Sequence, residues 1–225
     1  TRGFPVVTRC DENGCVRMDS GIVGAVERMW SAGGSLFAST SVRVNNTWTG
    51  SFTYRLEGSQ WTPLAGLHSQ SYVEDIVWHD GSLWFVGWLS KSGPVFREKH
   101  VLRWDGTTWH ETGFPENVYT NWFNIFDAHS SHDGCFTVVG EFSGSGRTAF
   151  AIQNCGNGWT EMPIDPVWGT AYAAATYRGK LCLAGRFERW VPIGQSCSHV
   201  IEWNGETWDL LNETSLNIDS VYYAH

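Results

Sequence analysis

Leu102-Arg103-Trp104-Asp105-Gly106-Thr107-Thr108-Trp109 reads as a strand, a tight turn and the start of a second strand. The Asp-Gly step supplies the positive φ that a short hairpin turn requires, and the Leu and Trp flanks suit a pleated, half-buried surface. Three other stretches repeat the arrangement. They are Tyr54 through Gly58 to Trp61, Ile152 through Cys155-Gly156-Asn157-Gly158 to Trp159, and Ile201 through Asn204-Gly205 to Trp208. The closing tryptophans at 61, 109, 159 and 208 are 48, 50 and 49 residues apart.

A second signature precedes each hairpin: Gly34-Ser35-Leu36-Phe37, Gly81-Ser82-Leu83-Trp84, Gly134-Cys135-Phe136-Thr137 and Gly179-Lys180-Leu181-Cys182. Each is a short apolar strand entered through a glycine turn, with a further extended run before it, such as Tyr72 to Trp78. One repeat therefore holds about four short strands, and no window has helical periodicity. Four-stranded units recurring at this period predict an all-β fold, a small β-propeller. The repeats run over about 22–66, 67–113, 114–163 and 164–211 within a single domain, 1–225.

The N-terminus supplies an altered fifth copy. Aligning Arg9 with Arg103 puts Cys10 on Trp104 and Cys15 on Trp109, so a hairpin disulfide stands where other repeats carry a cross-strand Trp pair. Cys135 with Cys155, and Cys182 with Cys197, fall on neighbouring strands in the same way, giving three expected bridges. Residues 1–21 and 212–225 are expected to close a fifth blade between the chain ends, one strand short of the others. Five blades is the reading; four blades and a plug is its alternative.

The Gly-x-Leu-x-(Val/Leu)-x-Gly strand followed by Arg-Trp-Asp-Gly-x-x-Trp resembles kelch-like propeller repeats, above all those of secreted surface proteins. The likeness covers residues 22 to 211 and departs from the pattern where paired glycines belong. Gly87 is followed by Trp88, Gly140 by Glu141 and Gly185 by Arg186, and the first repeat has Ser39-Thr40 there. The resemblance implies a fold and leaves function to the sites.

Composition narrows the classes. Fifteen basic against 23 acidic residues argue against a phosphate-backbone binder, so no nucleic-acid partner is expected. No apolar run is long enough to span a bilayer, so no membrane insertion is expected. Six Cys, sequons at Asn45 and Asn212, and Thr rather than Met at position 1 point to a mature or excised chain that is secreted or on a cell surface.

For chemistry, the close pair His129 and His132, beside Asp133, reads as a polar turn, and neither a metal nor a cofactor is expected. No Gly-x-Ser-x-Gly elbow or phosphate loop is present, and no catalytic residue is assigned. Tryptophan is the notable resource. Trp61, Trp109, Trp159 and Trp208 recur with the repeat and are assigned to packing. Trp48, Trp88, Trp122, Trp168 and Trp190 do not recur, and are assigned to connections on one face. A flat apolar ring with an N–H donor suits sugar recognition, with Arg97, Arg186, Arg189, Asp165 and His199 as candidate hydroxyl partners. The remaining charged residues are expected on a solvated exterior. The leading expectation is thus a non-catalytic, lectin-like domain that binds glycans. A protein-binding or adhesion module, with a surface or secreted protein, a second copy or a strand-donating chain as partner, is the alternative, and a glycoside hydrolase comes third.

Overall fold

The computed structural model describes residues 7–12, 14–18, 20–44, 47–69, 71–90, 99–115, 122–143, 147–164, 169–187 and 198–211. All regular structure among them is β. The chain divides into two compact units, Thr1–His110 and Glu111–His225.

The first unit opens with a hairpin of β1 (Thr8–Asp11) and β2 (Gly14–Arg17). Two four-stranded sheets follow. One comprises β3 (Ala25–Ala32), β4 (Ser35–Val44), β5 (Thr47–Glu57) and β6 (Gln60–Pro63). The other comprises β7 (Tyr72–His79), β8 (Ser82–Leu89), β9 (Lys99–Trp104) and β10 (Trp109–Glu111). The second unit has two more sheets of the same kind. They are β11 (Trp122–Ser130), β12 (Phe136–Ser143), β13 (Arg147–Asn154) and β14 (Trp159–Met162), then β15 (Gly169–Tyr177), β16 (Lys180–Phe187), β17 (Ser198–Trp203) and β18 (Trp208–Leu210). In every sheet the strands pair in chain order as an antiparallel meander, the arrangement of a propeller blade. The all-β propeller class read from the repeat is what the structure has, consistent with five blades. Residues 212–225, expected to help close the fifth blade, lie outside the described residues.

The turn chemistry follows the sequence. Asp105 Oδ1 accepts hydrogen bonds from the Thr107 and Thr108 amides at 2.8 Å each, and its Oδ2 lies 2.6 Å from His110 Nε2. These contacts hold the Asp105 carboxyl well below the usual carboxylate range, the His110 bond contributing most. Asn204 repeats the turn, accepting from Glu206 and Thr207.

Apolar burial lies between successive sheets. Phe37, Phe85, Leu89 and Leu102, all fully buried, share one cluster with Trp104 and Trp109 in the first unit. Val139, Ala151, Leu183, Phe187 and Ile201 form its counterpart, with Trp208, in the second. The repeat tryptophans also act as clips. Trp61 Nε1 donates to the Met18 carbonyl at 2.5 Å, Trp109 to Ala65 at 2.8 Å and Trp159 to Thr112 at 2.9 Å. The acceptor in each case lies three or four residues beyond the preceding repeat's Trp, or beyond Cys15 for Met18. The N-terminal hairpin therefore serves Trp61 as a preceding repeat would, with Cys10 and Cys15 as register partners and disulfide-bonded. Trp208 breaks the series: its Nε1 is buried without an acceptor among the described residues.

Two of the three expected bridges are present, Cys10–Cys15 and Cys135–Cys155. The third is corrected: Cys182 carries a free, buried thiol. Its register partners on β15 and β17 are Ala175 and Glu202, so no cysteine faces it across the ladder. Burial pushes its pKa up. Cys197 lies outside the described residues.

Candidate functional site

The first strand of every four-stranded sheet carries a register shift at the same place. It falls between Val26 and Arg28, Val73 and Asp75, Ile125 and Asp127, and Ala171 and Ala173. The extra residues are Glu27, Glu74, Phe126 and Tyr172. Bulges re-aim side chains and recur beside functional sites. Three of the four sheets share a further feature on the second strand. Opposite the residue before the bulge stand Gly87, Gly140 and Gly185 in the second, third and fourth sheets. A Cβ on any of them would lie 2.0–2.2 Å from a first-strand carbonyl oxygen. The first sheet has Thr40 there instead, buried to 1% exposure with an Oγ1 that has no partner among the described residues.

The residue after the bulge reaches to the next sheet. In the second unit Asp127 Oδ2 accepts the Ala174 amide at 2.8 Å. In the first unit the equivalent residue is Arg28. Its Nη1 donates to the Glu74 carbonyl at 2.7 Å and stands 2.5 Å from Glu74 Oε2. The second contact is a close ion pair without good hydrogen-bond angles. Both side chains are largely enclosed, at 23% exposure for Arg28 and 13% for Glu74. The guanidinium also lies 5.8 Å from the centre of the Tyr72 ring. Burial pushes the Glu74 carboxyl above its ordinary value, Arg28 opposes the rise, and Asp75 adds to it. The Tyr72 phenol is pushed up by burial and then by the Glu74 charge, again opposed by Arg28. An enclosed carboxyl of raised pKa, a phenol and a guanidinium thus meet on two neighbouring first strands. Such a group can exchange protons and hold an anion.

A second buried carboxylate, Glu141, is 3% exposed. It accepts from Asn124 Nδ2 at 3.1 Å and from Thr170 Oγ1 at 2.5 Å, tying β11 and β12 to β15. The expectation that the charged residues outside the assigned set are all solvated is therefore corrected at Glu74 and Glu141. Their burial follows from the bulge and the sheet-to-sheet face, neither visible in charge alone.

Three of the assigned tryptophans lie in strands, near their ends. Trp48 and Trp122 stand inside β5 and β11, paired with Arg43 and Ser143, and not in connections. Trp88 is a half-buried strand residue of β8, opposite Tyr72 and 6.1 Å from the His100 ring. Arg186 is an exposed residue of β16, paired with Thr170 and Ser198, and His199 lies in β17 opposite Gly185. Trp168, Trp190, Arg97, Arg189, Asp165, Asn45 and Asn212 lie outside the described residues. His129 Nε2 meets Thr176 Oγ1 at 2.7 Å, and Asp133 caps its own turn through Ser131 and the Cys135 amide. Among the described residues no three potential metal ligands cluster, and no helix is long and apolar enough to cross a membrane.

No protein-family model matches the chain, so the kelch likeness has no family support beyond the propeller architecture. No curated protein matches either. Solved structures do. Trypanosoma rangeli sialidase in complex with sialic acid superposes with a TM-score of 0.50 at 13% identity, over 92% of this chain and 40% of that one. The same sialidase alone, and with the inhibitor DANA, gives TM-scores of 0.50 at 14% identity over the same shares. The chain thus spans about 40% of the length of the structures it matches, and the likeness shows the β-propeller fold. It also overturns the expectation of a non-catalytic, lectin-like or adhesive domain. The matching structures named above are of an enzyme, so the fold is one that carries catalysis.

Proposed function

We propose that the chain is the propeller portion of a glycoside hydrolase of sialidase type, working outside the reducing compartments of the cell. The observation that supports this most is the enclosed Arg28–Glu74–Tyr72 cluster. Sialidases depart from the two-carboxylate pattern of most glycosidases by using a Tyr nucleophile. Tyr72 takes that role here: Glu74 accepts its proton as the phenol oxygen bonds to the anomeric carbon. The glycosidic bond breaks with its electron pair leaving on the aglycone oxygen, which takes a proton from solvent. Water then displaces the sugar from Tyr72, the phenol oxygen regains its proton from Glu74, and the proton of the water goes to solvent. The upward shift that burial gives the Glu74 carboxyl suits a group that must take up and return a proton. Arg28 favours the ionised form of Glu74 against the effect of burial and carries the positive charge that an acidic sugar would meet. Two disulfides support an oxidising environment.

The test is release of fluorophore from a panel of aryl glycosides that includes an aryl α-sialoside. Wild type is expected to cleave the sialoside in preference to neutral glycosides. Glu74→Gln and Tyr72→Phe should each lower kcat by about 100-fold or more. Absence of cleavage across the panel, or full activity in both variants, contradicts the proposal.

A further inference from the structure

We infer that a cavity of about 200 Å³ beside β5 is a binding site for a small uncharged polyol. It is bounded by Ser51 and Thr53 of β5 and by the segment that follows β6, including Leu64, Leu67, His68 and Ser71. The inference does not depend on the proposed hydrolysis.

The repeat gives the first argument. Arg28, Asp75, Asp127 and Ala173 hold equivalent positions after the bulge, and they pair with Ser39, Val86, Val139 and Ala184. Those residues pair in turn with Thr53, Val101, Ala151 and Val200. The middle-strand pair is therefore aliphatic in three sheets and Ser39–Thr53 in the first. Packing alone is met by Val or Ala at this place, so it does not call for the hydroxyls.

The second argument is satisfaction. Ser51 and Thr53 are 5% and 7% exposed, and their hydroxyls have no hydrogen-bond partner among the described residues. Two hydroxyls that are free to pair and face an enclosed space favour an occupant that can hydrogen-bond there. No carboxylate, ammonium or guanidinium lines it, which disfavours an ion. Apolar walls from Leu64 and Leu67 favour a molecule with C–H faces over a chain of waters. The volume is below the roughly 300 Å³ at which drug-sized pockets begin, so the occupant is of tetritol or pentitol size.

The experiment uses the intact chain with glycerol, erythritol and xylitol, read by saturation-transfer NMR and by calorimetric titration. Saturable binding of erythritol or xylitol is expected, weakened about tenfold in Thr53→Val. Val already occupies the equivalent place at Val101 and Val200, so this variant should fold. Ser51→Ala gives a second, independent reading and should also weaken binding. No saturable binding by any of the three, or binding unchanged in both variants, overturns the inference.

Discussion

Replacing Arg28 with Met keeps the length of the side chain and removes the cation from Glu74. Breaking a fully buried ion pair costs about 3–5 kcal/mol, because the remaining charge is stranded. Here the two side chains retain 23% and 13% of their exposure, so solvent relieves part of that cost, and about 2–3 kcal/mol is expected near neutral pH. The loss must depend on pH. The Glu74 pKa in the folded protein lies above the ordinary carboxyl value, so the folded state holds the proton more tightly than the unfolded state. Stability associated with this group is present below the unfolded pKa and is lost as pH rises through the folded one. Arg28 opposes that rise, so its removal lifts the folded pKa and extends the window of loss upward. Urea unfolding followed by tryptophan fluorescence should therefore show Arg28→Met close to wild type at about pH 4 and clearly weaker at about pH 7.5. Adding Glu74→Gln, which leaves no charge to strand, should recover most of the loss. Equal losses at both pH values, or strict additivity of the two substitutions, would refute the coupling.

The clip series separates two tryptophans that sequence alone treats alike. Trp109→Phe strands the Ala65 carbonyl and should cost about 1–2 kcal/mol more than Trp208→Phe, which removes an indole N–H that has no acceptor among the described residues; equal costs in urea melts contradict this. Gly140→Ala puts a Cβ 2.0 Å from the Asn124 carbonyl and should destabilise by more than about 2 kcal/mol, which thermal unfolding reads directly. On the chain-entropy relation, removing Cys135–Cys155 should cost about 1 kcal/mol more than removing Cys10–Cys15, since their separations are 20 and 5 residues; paired Ser variants in urea test the order. Alkylation followed by peptide mapping should leave Cys182 unmodified in the folded, unreduced protein and labelled once it is denatured without reductant; a Cys182 that stays unlabelled in denaturant is bridged after all.

The architecture was legible because the repeat is written in turn residues and closing tryptophans. The same glycine steps and the same Trp spacing locate the hairpins of all four sheets. The Cys10–Cys15 alignment was legible too, and the Met18–Trp61 bond extends it to the contact with the next sheet. The candidate site was not. The charges of Arg28 and Glu74 are ordinary in a strand, and only the bulge at Glu74 and the sheet-to-sheet face bring them together. A comparison of equivalent positions could have found the signal. Gly87, Gly140 and Gly185 align with Thr40, and Val86, Val139 and Ala184 align with Ser39, marking the first sheet as the exception. Trp48 and Trp122 were misplaced because short loops and strand ends share a composition, and the ladder extends to positions that spacing assigns to connections.

Covalent trapping tests the central claim most directly. A fluorinated sialosyl fluoride, which forms a slowly hydrolysed bond with a glycosidase nucleophile, is incubated with the chain and the digest is analysed by mass spectrometry. The account predicts one adduct, on the peptide that carries Tyr72, absent from Tyr72→Phe and slowed in Glu74→Gln. An adduct on another residue, or none under conditions where the reagent labels a sialidase, contradicts it.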